Sequence, residues 1–344
     1  MTARRVLVAR QDSVGDVLLA GPAVRAVAGS GAEVVMLVGP RGRAAAELLP
    51  GVSLLVVADC PWIDPVPAPV EATEVARLTA ELAGLRLDEA VLLTSFHQSP
   101  LPTALLLRLA GVPHIAGASV DYPGSLLDVR LRPGEDLDED IPEARRALAV
   151  AAAAGFHLPP GDDGRLAVRP PPDPTALVGA GPYLVLHPGA TVPARAWPAE
   201  RCAETVRALT AAGHRVVVTG GPDERALTAA VAGRHALDLG GRTTLAELAG
   251  VLAGADVVIA GNPGPAHLAA AAGTPVVSLF APVVPASRWA PYGVPSVLLG
   301  DQHAACRGSR ARTCPVPGHP CLSGVGADEV LAAVHRLLTV AGAA

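Results

Sequence analysis

The sequence predicts an α/β protein made of two domains, each built on a parallel sheet. Short apolar runs rich in β-branched residues alternate with helical segments through both halves of the chain, the pattern that places parallel strands between layers of helices. At 344 residues the chain exceeds the usual size of a single core. Between His157 and Pro182 the periodicity lapses and PPGDD, RPPPDP and GAGP accumulate, which marks a connector. The expected division is residues 1–160, a linker over 161–182, and residues 183–344.

In the first half, Arg5–Arg10 (RVLVAR) reads as a buried strand, followed by the loop QDSVG and a helix over about Asp16–Ala28. Val34–Val38 and Leu54–Ala58 are strands flanking the helical segment Arg43–Leu49. Glu71–Leu82 is helical, Ala90–Phe96 a strand, Thr103–Leu109 a helix, Ile115–Ala118 a short strand and Glu143–Phe156 a helix. After the connector come the strand Tyr183–Leu186, the helix Glu200–Ala212, the strand Arg215–Thr219, and the helices Glu224–Ala232 and Thr244–Leu252. Asp328–Val340 closes the chain as a helix.

The stretch Ala255–Gly293 is the most informative. Ala255–Ala260 is a strand, Asn262–Pro265 has turn chemistry, His267–Ala272 is an Ala-rich helix and Pro275–Phe280 is a second strand. Pro265 suits a first helical turn, where its missing N–H would go unpaired anyway, and Gly264 lets another group approach the backbone. Free N–H groups at such a helix start favour an anion, and ligands of open α/β sheets sit outside the carboxyl ends of the strands. His267 then adds a hydrogen bond to a phosphate oxygen; the alternative is a tight βα connection with a satisfied surface histidine.

A net charge of −5 argues against a general nucleic-acid binder. Half of the residues are hydrophobic but only 3% are aromatic, so the core must be mainly Ala, Val and Leu. All 27 basic residues are Arg. No apolar segment is long enough to span a bilayer, and Val6–Ala9 is too short for a secretory signal, so a cytoplasmic protein is expected. Five cysteines do not suggest a disulfide scaffold. Cys306, Cys314, Cys321 and His319 have wider spacings than common zinc modules, and a structural loop is expected rather than a metal site. Arg307, Arg310 and Arg312 make that loop basic, suited either to an anionic acceptor or lipid headgroups, or to plain solvation.

Four segments, RQDSVGDVLLAGPAVRAV (Arg10–Val27), HPGATVPARAWPAERCAE (His187–Glu204), the run from Gly240 to Pro282 and CRGSRARTCPVPGHPCL (Cys306–Leu322), resemble in order and spacing the ADP-heptose:lipopolysaccharide heptosyltransferase family, glycosyltransferase family 9. The resemblance implies a GT-B fold: two facing Rossmann-like domains with an interdomain cleft, the first binding an acceptor and the second a nucleotide-diphosphate sugar. It also implies inversion at the sugar, no metal requirement and no cofactor. The partners would be the donor and a glycan or glycolipid acceptor, with peripheral contact to the cytoplasmic membrane face.

Ser13 and Asp16 have capping-box spacing, whereas the resemblance makes Asp16 the general base that takes the acceptor's proton. Thr191 and Arg195 lie in the loop after His187. Arg195 stands where relatives usually carry a lysine for the donor diphosphate, and it reads otherwise as a solvated loop charge. Glu224 aligns with a nucleoside contact, since a carboxylate accepts two ribose hydroxyls, or else it simply opens a helix. Thr243 aligns near the base and otherwise caps a helix. Where the family shows Asp and then Ser or Thr, this chain has Asn262 and Pro263, which puts some sugar and diphosphate contacts in doubt. Ser13, Gly15, His97 and Gln98 are acceptor-binding candidates. A nucleotide-binding protein with lost catalysis is the main alternative. A dinucleotide-dependent oxidoreductase is disfavoured because ARQDSVGD lacks G-x-G-x-x-G.

Overall fold

The computed structural model describes residues 4–95, 97–262 and 264–341. The chain divides into two compact units, Met1–Arg169 and Pro170–Ala344. In the first, β1 (Arg5–Ala9), β2 (Glu33–Val38), β3 (Val52–Val57), β4 (Glu89–Leu92), β5 (His114–Ala118) and β6 (Val129–Leu131) form one sheet in the order β3-β2-β1-β4-β5-β6. Every pairing in it is parallel, with Leu7 of β1 opposite both Val35 and Ala90.

The second unit repeats the plan. Its strands β7 (Leu184–His187), β8 (Val216–Val218), β9 (Leu237–Asp238), β10 (Val257–Gly261), β11 (Val276–Leu279) and β12 (Ser296–Leu299) lie in the order β12-β11-β10-β7-β8-β9, again parallel throughout. Counted from β7, this is the winding of the first sheet. Each sheet therefore reverses direction at one point, between β1 and β4 and between β7 and β10, and there a doubly wound sheet opens a crevice beyond its carboxyl ends.

Burial explains why the central strands read as unbroken apolar runs. Val6, Leu7 and Val8 are fully buried, as are Val257, Val258 and Ile259, because helices cover both faces of each sheet. One core packs Leu7, Leu37, Leu92, Leu107 and Ile115; the other packs Leu186, Trp197, Val218, Ile259, Leu322 and Val334. Aliphatic side chains dominate both, as the scarcity of aromatics requires.

Three differences from the sequence expectation have local causes. The helix expected over Asp16–Ala28 is two, Val14–Leu19 and Gly21–Gly29. Pro22 has no N–H to give to the preceding turn, and Ala20 N–H closes a tighter bond to Val17 C=O at 3.1 Å. The strand expected over Ala90–Phe96 ends at Leu92, because the Ser95 N–H bonds to the Gln98 side chain at 2.8 Å instead of extending the ladder; Phe96 lies outside the described residues. Strands β6, β9 and β12 were absent from the sequence reading. The first two have no more than three residues, and β6, β9 and β12 all lie at or next to the polar sheet margins, where apolar periodicity fades.

Candidate active site

The loop after β1 carries Asp16, in the first turn of the helix Val14–Leu19. Ser13 precedes that helix but makes no side-chain bond to its backbone. Instead Ser13 Oγ donates to Asp16 Oδ2 at 2.7 Å, and Arg10 Nη2 donates to Asp16 Oδ1 at 3.1 Å. The expected capping box is therefore not formed. The guanidinium holds one carboxylate oxygen toward the end of β1 and the Ser13 hydroxyl holds the other, and a charged donor is a stronger partner for a carboxylate than a backbone N–H.

Arg10 holds the loop together while only 3% exposed. Its Nη2 also donates to Ser95 Oγ at 2.8 Å, its Nε lies 3.0 Å from Asp12 Oδ2, and its Nη1 lies 3.9 Å from Glu143 Oε2. Burial opposes the charge of Arg10, yet Asp12, Asp16 and Glu143 together raise its pKa above the ordinary value. Burial pushes the Asp12 carboxyl up, against the pull of Arg10. Gln98 donates to Asp12 Oδ1 and accepts the Ser95 N–H, so it ties the loop after β1 to the loop after β4. Ser13, Asp16 and Gln98 thus gather at the switch point of the first sheet. Gly15 is buried in the helix start, and His97 is exposed.

Sequence reading missed Arg10 and Asp12. The available signal was a cation ending an otherwise apolar strand six residues before an acid, a pattern that a strand assignment absorbs without comment.

In the second unit the loops after β7, β8, β9 and β10 supply the candidates. His187 ends β7, buried, with Nδ1 3.0 Å from Thr219 Oγ1 and Nε2 3.7 Å from Glu224 Oε2. Burial lowers its pKa, with Glu224 acting in the opposite sense. Glu224 Oε2 accepts the Gly221 N–H at 2.7 Å, so the carboxylate caps the turn Pro222–Glu224 that precedes the helix Arg225–Ala232. It also lies against two glycines. A Cβ on Gly189 would stand 1.9 Å from Glu224 Oε1, and one on Gly220 would stand 3.1 Å from Oε2.

Thr243 is half-buried and caps nothing: the cap of the helix Leu245–Ala253 is Thr244, whose Oγ1 accepts the Glu247 N–H at 3.2 Å. The cap role considered for Thr243 belongs to its neighbour, because Glu247, three residues after Thr244, completes the reciprocal pair.

Thr191 is exposed, and Arg195 is half-buried at the end of the turn Pro193–Arg195. The Arg195 carbonyl oxygen packs on the end of β10, 3.2 Å from where a Gly261 Cβ would sit. Just beyond, the Asn262 amide pairs with Ala281, donating Nδ2–H to its C=O at 3.4 Å and accepting its N–H at 3.2 Å. Gly264 and Pro265 open the helix Gly264–Ala271, as expected. Pro263 lies outside the described residues. His267 is fully buried, so the surface-histidine alternative is overturned; the Ala-rich helix that carries it is buried along Ala266–Ala271. Arg195, Asn262, Gly264, Pro265 and His267 cluster at the second switch point, with Glu224 one strand away.

Among the described residues no group of three His, Cys, Asp or Glu side chains could hold a metal ion. Cys306 and Cys321 are buried in the second core, with Cys314 packed against it.

The family model of glycosyltransferase family 9 (heptosyltransferase) matches residues 77–319. The chain belongs to this family. It is 30% identical over 165 residues to lipopolysaccharide heptosyltransferase 3 of Escherichia coli, a match covering 45% of the chain and 47% of the relative. It is 30% identical over 121 residues to lipooligosaccharide heptosyltransferase 2 of Haemophilus influenzae, covering 32% and 34%. The chain therefore spans about half or less of the curated relatives it matches. At the level of fold the likeness extends over nearly the whole chain. The E. coli ADP-heptose lipopolysaccharide heptosyltransferase II structure covers 98% of this chain and 99% of its own, with TM-score 0.75 and 20% identity. A family 9 glycosyltransferase from Veillonella parvula covers 98% and 97%, with TM-score 0.77 and 19% identity. The family 9 chain described here thus has the GT-B fold of these enzymes.

Proposed function

We propose that this chain is an inverting glycosyltransferase that moves a heptose, or a related sugar, from an ADP-linked donor to a hydroxyl of a glycan or glycolipid acceptor. The observation that carries the proposal is the seat of Asp16. A carboxylate held through both oxygens by Ser13 and Arg10 at a sheet switch point has its position and orientation set before a hydroxyl arrives, which is what proton transfer requires. Family membership makes glycosyl transfer the reaction to which that proton acceptor belongs.

In this scheme residues 1–160 bind the acceptor, residues 161–182 connect, and residues 183–344 bind the donor. The acceptor hydroxyl loses its proton to Asp16 as its oxygen attacks the anomeric carbon on the face opposite the diphosphate. The bond from that carbon to the phosphate oxygen breaks, ADP leaves, and the configuration inverts. Ser13, Gly15, His97 and Gln98 line the acceptor side. Arg195, the helix start at Gly264 and Pro265, and His267 offset the charge that develops on the departing diphosphate. Thr191 borders it, while Glu224 and Thr243 contact ribose and base. Asn262 contributes through the backbone of Ala281, to which its amide is already committed. An E. coli heptosyltransferase solved with ADP, similar over 96% of this chain at TM-score 0.67 and 18% identity, supports ADP as the nucleotide.

The proposal places the protein in the cytoplasm with peripheral membrane contact. Among the described residues no helix is long and apolar enough to cross a membrane, and Arg307, Arg310 and Arg312 are exposed.

The test is to incubate the protein with ADP-heptose and a truncated lipopolysaccharide core. Release of ADP in step with a product of inverted anomeric configuration, read by NMR, is expected. If ADP-, GDP-, UDP- and dTDP-sugars all bind yet none is consumed, the chain is a nucleotide-binding protein that has lost catalysis.

A further inference from the structure

The segment Cys306–Leu322 takes no part in the transfer chemistry above, yet it grips the turn that carries Arg195 from two sides. Ala194, the middle residue of Pro193–Arg195, is fully buried. Its N–H donates to the Arg312 C=O at 2.9 Å, and its C=O lies 3.1 Å from His319 Nε2. A carbonyl only accepts, so the proton of that contact sits on His319 Nε2. Both backbone groups of Ala194 are therefore satisfied by one distant loop, while its methyl packs in the same core as Cys306 and Cys321.

His319 adopts a backbone conformation that a non-glycine residue rarely takes. Its φ of 51° and ψ of 50° are left-handed. The surrounding chain fixes it: His319 N–H bonds to Val316 C=O at 3.2 Å, and its own C=O accepts from Ser323 at 3.0 Å and Leu322 at 3.2 Å. The loop is anchored further by Gly308 N–H to Pro282 C=O and Arg310 N–H to Val283 C=O, both 2.8 Å, just past the end of β11. On its far side the turn meets Gly261, where its Arg195 carbonyl would stand 3.2 Å from a Cβ, a tight contact. The Arg195 turn is thus wedged between the end of β10 and a loop strained to present an imidazole to it, and such strain persists where the geometry it secures is used.

We propose that His319 is a positioning residue for donor binding: through its hydrogen bond to the Ala194 carbonyl it sets the Pro193–Arg195 turn so that the Arg195 guanidinium meets the donor diphosphate. This rests on Arg195 being a diphosphate ligand, as in the scheme above. His319 itself touches no substrate.

The experiment compares binding of ADP and of adenosine by calorimetry for wild type, His319→Gly, His319→Asn, Arg195→Ala and the double variant Arg195→Ala/His319→Gly. Glycine relieves the left-handed backbone but removes the donor; asparagine tolerates that backbone and retains an N–H donor. Losing one such bond should weaken ADP about five- to tenfold in His319→Gly, leave adenosine affinity unchanged, and be partly restored in His319→Asn. The double variant should bind ADP no more weakly than Arg195→Ala alone, since both changes remove one interaction. Equal loss for ADP and adenosine, or additive losses in the double variant, would overturn the positioning role. If Arg195→Ala itself leaves ADP affinity intact, the donor scheme fails first; if only the His319 variants are silent, the scheme stands and this inference falls.

Discussion

The two sheets share one winding order, yet the crevices at their switch points are furnished in opposite ways. In the first unit the crevice is filled with charge: Arg10 is ringed by Asp12, Asp16 and Glu143 and bonded to Ser95, and Gln98 ties Asp12 to Ser95. In the second it is built from backbone and small residues, with Gly189, Gly220 and Gly261 at the strand ends, Gly264 at a helix start, and Glu224 and His187 set among them. The contrast agrees with the proposed division of labour. A proton acceptor must sit in one place, which takes several fixed partners in a site shielded from water. A nucleotide diphosphate is bulky and anionic, and it needs room and N–H groups more than a dense side-chain network.

Removing the hub of the charged crevice should have the largest effect. Arg10→Ala would remove the cation that Asp12, Asp16 and Glu143 share at a buried site, a loss of about 3–5 kcal/mol that urea unfolding would register. An unchanged midpoint would mean that the network contributes nothing to the first unit. In the second unit, Asn262→Asp tests whether small polar contacts there hold backbone in place. Aspartate cannot donate to the Ala281 C=O, so about 1–3 kcal/mol should be lost at a residue that is 3% exposed. If instead stability holds and donor turnover rises, position 262 is a donor contact and not a strut.

Gly189→Ala probes the room that glycine provides. The new methyl would force the Glu224 carboxylate aside and break its bond to Gly221, costing about 1–2 kcal/mol and weakening ADP binding; unchanged ADP affinity would detach Glu224 from the nucleotide. The smallest effect concerns His187. Its pKa is lowered in the folded protein by burial, so the unfolded chain takes up a proton that the folded one does not as pH falls through about 6.5. Stability should therefore be complete above that pH and decline below it, and His187→Asn should flatten the decline in thermal melts between pH 7.5 and 5.5. Parallel profiles for the two proteins would contradict this.

Much of the architecture was legible in the sequence because buried parallel strands announce themselves as unbroken apolar runs. RVLVAR, ADVVIA and PVVSLF all mark central strands for that reason. The edge strands Val129–Leu131 and Leu237–Asp238 were not legible, since a two- or three-residue strand bordering solvent carries no period to read. The site divides the same way. The turn at Gly264–Pro265 was read from local chemistry, while Asp16, Arg195 and Glu224 were singled out through resemblance, since the local pattern around Asp16 reads as a capping box. Arg10 was hidden, because its partners Ser95 and Glu143 lie far along the chain and only the fold brings them to it. The same holds for His319, whose contact with Ala194 spans 125 positions.

The central claim is that Asp16 is held in place as the proton acceptor for glycosyl transfer. Asp16→Asn keeps the size and the bonds to Ser13 within reach while removing the charge, so it tests that claim most directly when turnover and ADP affinity are measured on the same preparation. A fall in kcat of about 10²–10⁴ with ADP affinity unchanged is the predicted result; wild-type kcat in the variant would contradict the account.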